Sequence, residues 1–265
     1  MKLLNGSELA GYIKERQAKA VRGLRQHDKI IPKLAIIVTG DNPVIDTYVR
    51  LKQNYASDIL IETEVFNLDI NQVADKIREI NNDNSVKGII LQLPLSDATR
   101  TDELINLIAP AKDVDGLGDN SPFDSATAMA INWLLTGYDI EMERKKIVIV
   151  GRGRLVGAPL YKMWQNSGLD VKMFGRDADL AEELKNADII VSATGVPGLI
   201  TSEMVPIGAI VVDAGTASEN GEIIGDVAED LRERSDITIT PSIGGVGPLT
   251  ISALMDNVIR ACREQ

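Results

Sequence analysis

Lys146-Ile147-Val148-Ile149-Val150-Gly151-Arg152-Gly153-Arg154-Leu155-Val156-Gly157 is the stretch on which the fold turns. Its branched aliphatic run is short and ends at glycine, so it reads as a buried strand. Helix-compatible sequence follows from Val156 to about Asn166. A strand, a glycine-rich turn and a helix open a doubly wound α/β unit, and the turn lets backbone N–H groups approach a pyrophosphate. The spacing is G-x-G-x-x-x-G, one residue longer than the usual dinucleotide fingerprint. Pro159 falls within the first helical turns, where its missing N–H costs little. A tight turn with no ligand is the plain alternative.

Outward from that turn, the strand Asp170–Phe174 ends at Phe174-Gly175-Arg176-Asp177, about 25 residues past Gly151. An acidic group there binds a ribose hydroxyl, and an arginine accepts a 2′-phosphate. Arg152, Arg176 and Asp177 all stand available, so NAD and NADP both stay open. The two cations favour NADP. The candidate cofactor set is Gly151, Arg152, Gly153, Val156, Gly157, Arg176 and Asp177, with Thr194 beyond the strand Asp188–Ser192. A further strand, Ala209–Asp213, continues the alternation.

The first 120 residues alternate in the same way. Lys33–Val38, Ile61–Leu68 and Val86–Leu91 read as strands. Ile70, Val73, Ala74, Ile77 and Ile80 recur at helical spacing behind Asp69, a plausible N-cap. Such alternation implies right-handed crossovers and a largely parallel sheet. Ala126–Leu135 reads as a connecting helix. Leu249–Arg263 reads as a final one, apolar at Ala253, Leu254, Val258 and Cys262.

Composition narrows the chemistry. The chain has 265 residues, a net charge of −11, one histidine and one cysteine. That charge argues against a nucleic-acid partner, and no apolar run approaches the ~18–20 residues needed to span a bilayer. The first residues turn polar too early for a secretory segment. His27 lies in a polar stretch and reads as a solvated imidazole. Cys262 alone can form no internal disulfide, which suits a reducing cytoplasm. Ser-His-Asp, Cys-His and His/Cys metal sites all lack parts. Lysine, carboxylates, tyrosine or a bound cofactor must therefore carry any catalysis.

Tyr48 and Lys52 are spaced i and i+4 on Val44–Ser57, which reads as a helix between a turn and a strand. An exposed amphipathic helix with a routine lysine is the alternative for the pair in isolation. The order of surrounding motifs points elsewhere. Gly40-Asp41-Asn42-Pro43 leads to Tyr48-Val49-Arg50-Leu51-Lys52; Gly88-Ile89-Ile90-Leu91-Gln92-Leu93-Pro94-Leu95 and Lys112-Asp113-Val114-Asp115-Gly116 follow; Pro241-Ser242-Ile243-Gly244-Gly245-Val246-Gly247-Pro248-Leu249-Thr250 comes last. This series, from about residue 3 to residue 262, resembles the bifunctional methylenetetrahydrofolate dehydrogenase/methenyltetrahydrofolate cyclohydrolase family.

The resemblance implies a folate-binding α/β catalytic domain, residues 1–121 with the C-terminal helix 249–265, and an NAD(P)-binding Rossmann domain over 122–248, with a folate cleft between them. It implies Lys52 as general acid/base, Gln92 as its orienting partner, Tyr48 stacking on the folate and Asp115 holding the pterin. Gly245, Val246, Gly247 and Pro248 would line the substrate site, and relatives imply a homodimer. The chemistry agrees: water attacks a cationic amidinium carbon, and burial plus a cationic substrate would lower a lysine from ~10.4 toward neutrality. Serine usually stands where this chain has Gly153, and His-Ser where it has Phe174-Gly175. Two alternatives remain on the sequence. One is a cyclohydrolase with a degenerate cofactor domain; the other is a non-catalytic folate- or nucleotide-binding regulator. A shikimate-type dehydrogenase shares the two-domain plan and a lysine, but no substrate motif of that group is present.

Overall fold

The computed structural model describes residues 2–219 and 222–264. In chain order the elements are β1 (Lys2–Leu3), α1 (Gly6–Gly23), β2 (Lys33–Thr39), α2 (Pro43–Asp58), β3 (Glu62–Leu68), α3 (Val73–Asn81), β4 (Gly88–Leu91), α4 (Thr101–Ile105) and α5 (Ala126–Gly137). There follow β5 (Ile147–Val150), α6 (Gly157–Asn166), β6 (Val171–Phe174), α7 (Leu180–Leu184), β7 (Ile189–Ser192) and β8 (Ile210–Asp213). The last are β9 (Ala217–Glu219), β10 (Glu222–Ile224), α8 (Glu229–Arg232), β11 (Thr238–Ile239) and α9 (Val246–Glu264). Two compact units emerge, one of residues 11–126 and 251–265, the other of residues 1–10 and 127–250.

The first unit is built on a parallel sheet of order β3-β2-β4. Every residue of β4 is buried, as are six of the seven residues of β2. That is why these strands read as unbroken aliphatic runs rather than alternating ones. Ala35, Ile37, Ile89 and Leu91 pack against Val73, Ile77 and Ile80 of α3. The helical spacing thus marks the face of α3 that meets the sheet. Asp69 does not cap it. Its carboxylate accepts from the N–H of Asn71 in a preceding turn, and the helix begins after Gln72. On α9, Ala253, Leu254, Val258 and Cys262 are all buried. Asn257 interrupts that face, and its Nδ2 donates to the carbonyls of Val114 at 2.9 Å and Asp124 at 3.1 Å.

The second unit has a six-stranded sheet of order β1-β11-β8-β7-β5-β6, parallel throughout. β5 begins this doubly wound run; β6 lies on one side of it and β7 on the other. The chain reverses its direction of travel across the sheet there, so the β5/β7 boundary is a topological switch point. Residues 1–10 make their contacts within this unit. The reason is strand pairing: Lys2 aligns with Thr238 and Leu3 with Ile239. A β9–β10 antiparallel hairpin, absent from the sequence reading, lies outside the main sheet. Trp164 is fully buried and its indole N–H donates to Asn132 Oδ1 at 3.1 Å, tying α6 to α5. Among the described residues, no helix is long and apolar enough to cross a membrane.

Asn257→Ala strips the buried Val114 carbonyl and the part-buried Asp124 carbonyl of their donor, and an unpaired buried group costs on the order of 1–3 kcal/mol. Urea unfolding of this variant should therefore show a loss of about 2 kcal/mol with an unchanged m-value.

Candidate active site

In the first unit, β2, β3 and β4 create a second switch point, because the chain passes from β3 across β2 to reach β4. Gln92 leaves β4 there, its N–H donating to the carbonyl of Ile37 on β2 at 2.9 Å. α2 starts nearby. The Asn42 side chain accepts from the N–H of Val44 at 2.9 Å, and Pro43 occupies the first helical turn. Ile45, Val49 and Ala56 form its buried face. Tyr48 and Lys52 flank that face, both partly buried. Lys52 Nζ donates to Gln92 Oε1 at 2.7 Å, while Gln92 Nε2 donates to the Leu93 carbonyl at 3.0 Å. The second bond fixes which end of the amide faces the lysine.

Asp115 reaches this place through its own segment. Asp113 forms a parallel bridge with Ile89, extending the strand pairing beside β4. Gly116 has φ of +68°, and a Cβ there would collide with the backbone of Phe123 and Asp124. Only glycine suits such a turn. Lys112 Nζ donates to the carbonyls of Ile80, Asn81 and Asp83 at 2.8, 3.0 and 2.7 Å, which satisfies the C-terminal end of α3. Asp113 is buried and accepts from the N–H of Gly118 at 2.8 Å. Of the two aspartates, Asp113 therefore organises the loop, and Asp115 is the one that interacts electrostatically with Lys52.

Burial decides the charge states. Removal of water lowers the Lys52 pKa from its ordinary 10.5, opposed by the attraction of Asp115. Burial raises Asp115 above its ordinary 3.8, opposed by Lys52. Each group is thus pushed toward neutrality while stabilising the charge on the other. Tyr48 is raised by desolvation, so its ring remains a neutral stacking surface.

In the second unit, Gly151 has φ of +120°, and a Cβ there would strike the Ala193 carbonyl. A Cβ on Gly157 would strike the carbonyl of Gly151, whereas Gly153 has open space above it. Position 153 therefore tolerates a side chain; 151 and 157 do not. Val156 provides no side-chain cap for α6; Ala158 N–H donates to the Gly153 carbonyl at 3.1 Å and Pro159 has no N–H, which leaves Gly157 N–H in the first turn for an anion. This bare turn at the carboxyl end of β5 fits a dinucleotide pyrophosphate. Arg152, Arg176 and Asp177 are exposed beside it.

Thr194 is held by a carboxylate that the sequence reading passed over. Fully buried Asp226 accepts from Ser192 Oγ at 2.7 Å, Thr194 N–H at 2.6 Å, Thr194 Oγ1 at 2.9 Å and Val196 N–H at 3.1 Å. Asp213 supports it from below, accepting from the N–H of Asp226 at 2.9 Å and pairing with Arg232 at 2.5 Å. The one available signal was Gly225-Asp226-Val227, an acid between a glycine and an apolar residue.

Lys52, Gln92 and Asp115 are thus brought together, with Tyr48 one helical turn before Lys52. Gly245, Val246, Gly247 and Pro248 lie in the other unit. There the expected glycine-rich turn is shorter than anticipated: α9 begins at Val246, so Val246, Gly247 and Pro248 form its first turn. A Cβ on Gly6 would collide with the Gly245 carbonyl, so α1 and this turn pack backbone to backbone. His27 is exposed, as the polar stretch around it implies.

Comparison with known proteins divides the chain by sequence rather than by these two units. Residues 4–115 match the model of the tetrahydrofolate dehydrogenase/cyclohydrolase catalytic domain, and residues 125–265 match that of the family's NAD(P)-binding domain. The bifunctional protein FolD of Staphylococcus saprophyticus is 36% identical over 275 residues, covering 98% of this chain and 96% of the relative. The crystal structure of the bifunctional FolD dehydrogenase/cyclohydrolase from Campylobacter jejuni superposes with a TM-score of 0.93 at 36% identity, covering 100% of this chain and 99% of that one. A Trypanosoma brucei dehydrogenase-cyclohydrolase, solved with NADP and an inhibitor, gives 0.92 at 28% identity over 99% of this chain and 97% of that one.

Asp226→Asn replaces a pure acceptor by a group that also carries two donors, against four donors already aimed at it. Removing charge-assisted bonds of this kind costs on the order of 1–3 kcal/mol. Thermal unfolding should shift to lower temperature, and fluorescence titration should show weaker dinucleotide binding than wild type.

Proposed function

The chain belongs to the tetrahydrofolate dehydrogenase/cyclohydrolase family, and from that premise we propose how its own residues divide the work. The enzyme oxidises 5,10-methylenetetrahydrofolate with NAD(P) and hydrolyses 5,10-methenyltetrahydrofolate to 10-formyltetrahydrofolate. Lys52 is the general acid/base, and the observation that carries this assignment is its 2.7 Å bond to Gln92 beside Asp115.

The cyclohydrolase step needs a water oxygen to attack the amidinium carbon as one proton leaves that water. Neutral Lys52 takes the proton, its geometry set because one N–H is already committed to Gln92 Oε1. The C–N bond then breaks: the proton held by the ammonium passes to the departing nitrogen, and the remaining O–H proton is released to solvent as the formyl C=O forms. A cationic substrate opposes the ammonium form further, so substrate binding itself favours the base. Asp115 accepts pterin N–H groups through both oxygens, and those donors restore the anion that burial disfavours. Tyr48 offers its ring face to the folate. Gly245, Val246, Gly247 and Pro248 contribute backbone at the substrate site.

For the oxidative half, a bound nicotinamide supplies the hydride acceptor. The chain's task there is to hold the dinucleotide: Gly151, Gly153, Val156 and Gly157 at the pyrophosphate, Thr194 opposite them across the switch point, and Arg152 and Arg176 toward a 2′-phosphate. NADP is the dinucleotide these cations support, with Asp177 close by. The resemblance further supports a homodimer, and buried, unpaired Cys262, its thiol pushed up to about 11 by burial, suits a reducing cytoplasm. The negative net charge of −11 speaks for a small-molecule partner over nucleic acid.

Lys52→Met should keep the fold, by circular dichroism, and lose on the order of 10²–10⁴ in cyclohydrolase rate; hydrolysis at the wild-type rate would reject the role. Because the Lys52 pKa is depressed, the neutral amine accumulates as pH rises through that lowered value. The kcat profile should accordingly climb with pH and level off below 10.5, the lysine's ordinary value. A midpoint at or above it would contradict the assignment.

A further inference from the structure

The end of β6 carries a feature that the family reading does not explain. Gly151 donates its N–H to the Phe174 carbonyl at 2.8 Å, so residues 175–177 stand directly beside the glycine-rich turn. Ala178 N–H closes back on the Gly175 carbonyl at 3.2 Å, folding the segment into a turn. A Cβ built on Gly175 would collide with Asp177 Oδ1 and would lie 3.7 Å from Arg152 Nη1. The carboxylate of Asp177 therefore occupies the space a side chain at position 175 would fill, and the Arg152 guanidinium borders the same space. Gly175 itself is not in the left-handed region, so backbone conformation does not demand glycine there. What the glycine provides is room for the carboxylate.

We infer that Asp177, seated over the side-chain-free position 175 on the border of the space that Arg152 also lines, is a specificity determinant that lowers this chain's preference for a 2′-phosphorylated dinucleotide, so that NAD serves alongside NADP. The inference rests on the reading that residues 151–157 hold the dinucleotide pyrophosphate. Its physical content is a balance of charges. A 2′-phosphate brings nearly two negative charges, which Arg152 and Arg176 attract and Asp177 repels. A free 2′-hydroxyl is a donor, and the carboxylate accepts it. Interactions among exposed charges are individually modest, so the outcome is reduced discrimination rather than reversal.

The test compares kcat/KM for NADP and NAD in methylenetetrahydrofolate oxidation for wild type, Asp177→Asn and Gly175→Ser, with fluorescence titration of both dinucleotides. Asp177→Asn removes the charge in place; Gly175→Ser displaces the carboxylate while leaving it in the chain. Wild type should discriminate by no more than about tenfold, and each variant should raise the NADP-to-NAD ratio by about tenfold. A ratio that is unmoved, or that shifts toward NAD, in Asp177→Asn while both dinucleotides still saturate overturns the inference and leaves the site reading standing. Failure of either dinucleotide to saturate the wild type overturns both.

Discussion

An alkylammonium gives up its proton near neutral pH only where water is scarce, and that requirement governs the architecture of residues 11–126. Lys52 lies on a helix whose other face is apolar, next to strands buried along nearly their whole length. Gln92 receives one of its N–H bonds without adding charge. A carboxylate in that position would have locked the lysine as a cation; the carboxamide orients it and leaves its basicity free. Asp115 is near enough to moderate the loss of water, and Asp113, Lys112 and Asn257 keep its segment in place.

In the proposed assignment both parallel sheets carry their chemistry at the crossing where strand order reverses, yet they furnish it differently. At β2/β4 the crevice is equipped with ionisable and amide side chains. At β5/β7 it is nearly bare, bordered by Gly151 and the Ala193 carbonyl. The contrast follows from the source of reactivity. Proton transfer must be performed by groups the chain owns, whereas a dinucleotide carries its own reactive ring and asks chiefly for close backbone approach.

How much of this could be read from the residues depended on the range of the interaction. Ile147–Val150 and the glycines after it announce a strand and a turn because local sterics alone decide them. Val73, Ile77 and Ile80 announce a helix face for the same reason. Asp69 misled, since an aspartate serves a turn as readily as a helix start, and Asn71 lay within its reach. Lys52 and Gln92 were recognisable by motif, but their contact bridges 40 residues and no periodicity reveals it. Asp226 and Asn257 escaped notice because a buried polar residue declares itself only once its distant partners are known. The long N-terminal helix α1 also went unnoticed, hidden in a stretch rich in charged residues. Gly175 was visible as a departure from serine, while what fills the vacated space required coordinates.

The pairing of Lys2 and Leu3 with Thr238 and Ile239 has a consequence for biogenesis. Neither unit is contiguous: one waits for its edge strand's neighbour near residue 239, the other for the helix beyond residue 251. Bringing Lys2–Leu3 to residues 238–239, and the helix after residue 251 to residues 11–126, closes long loops, and such non-local closure is the entropically slow part of folding.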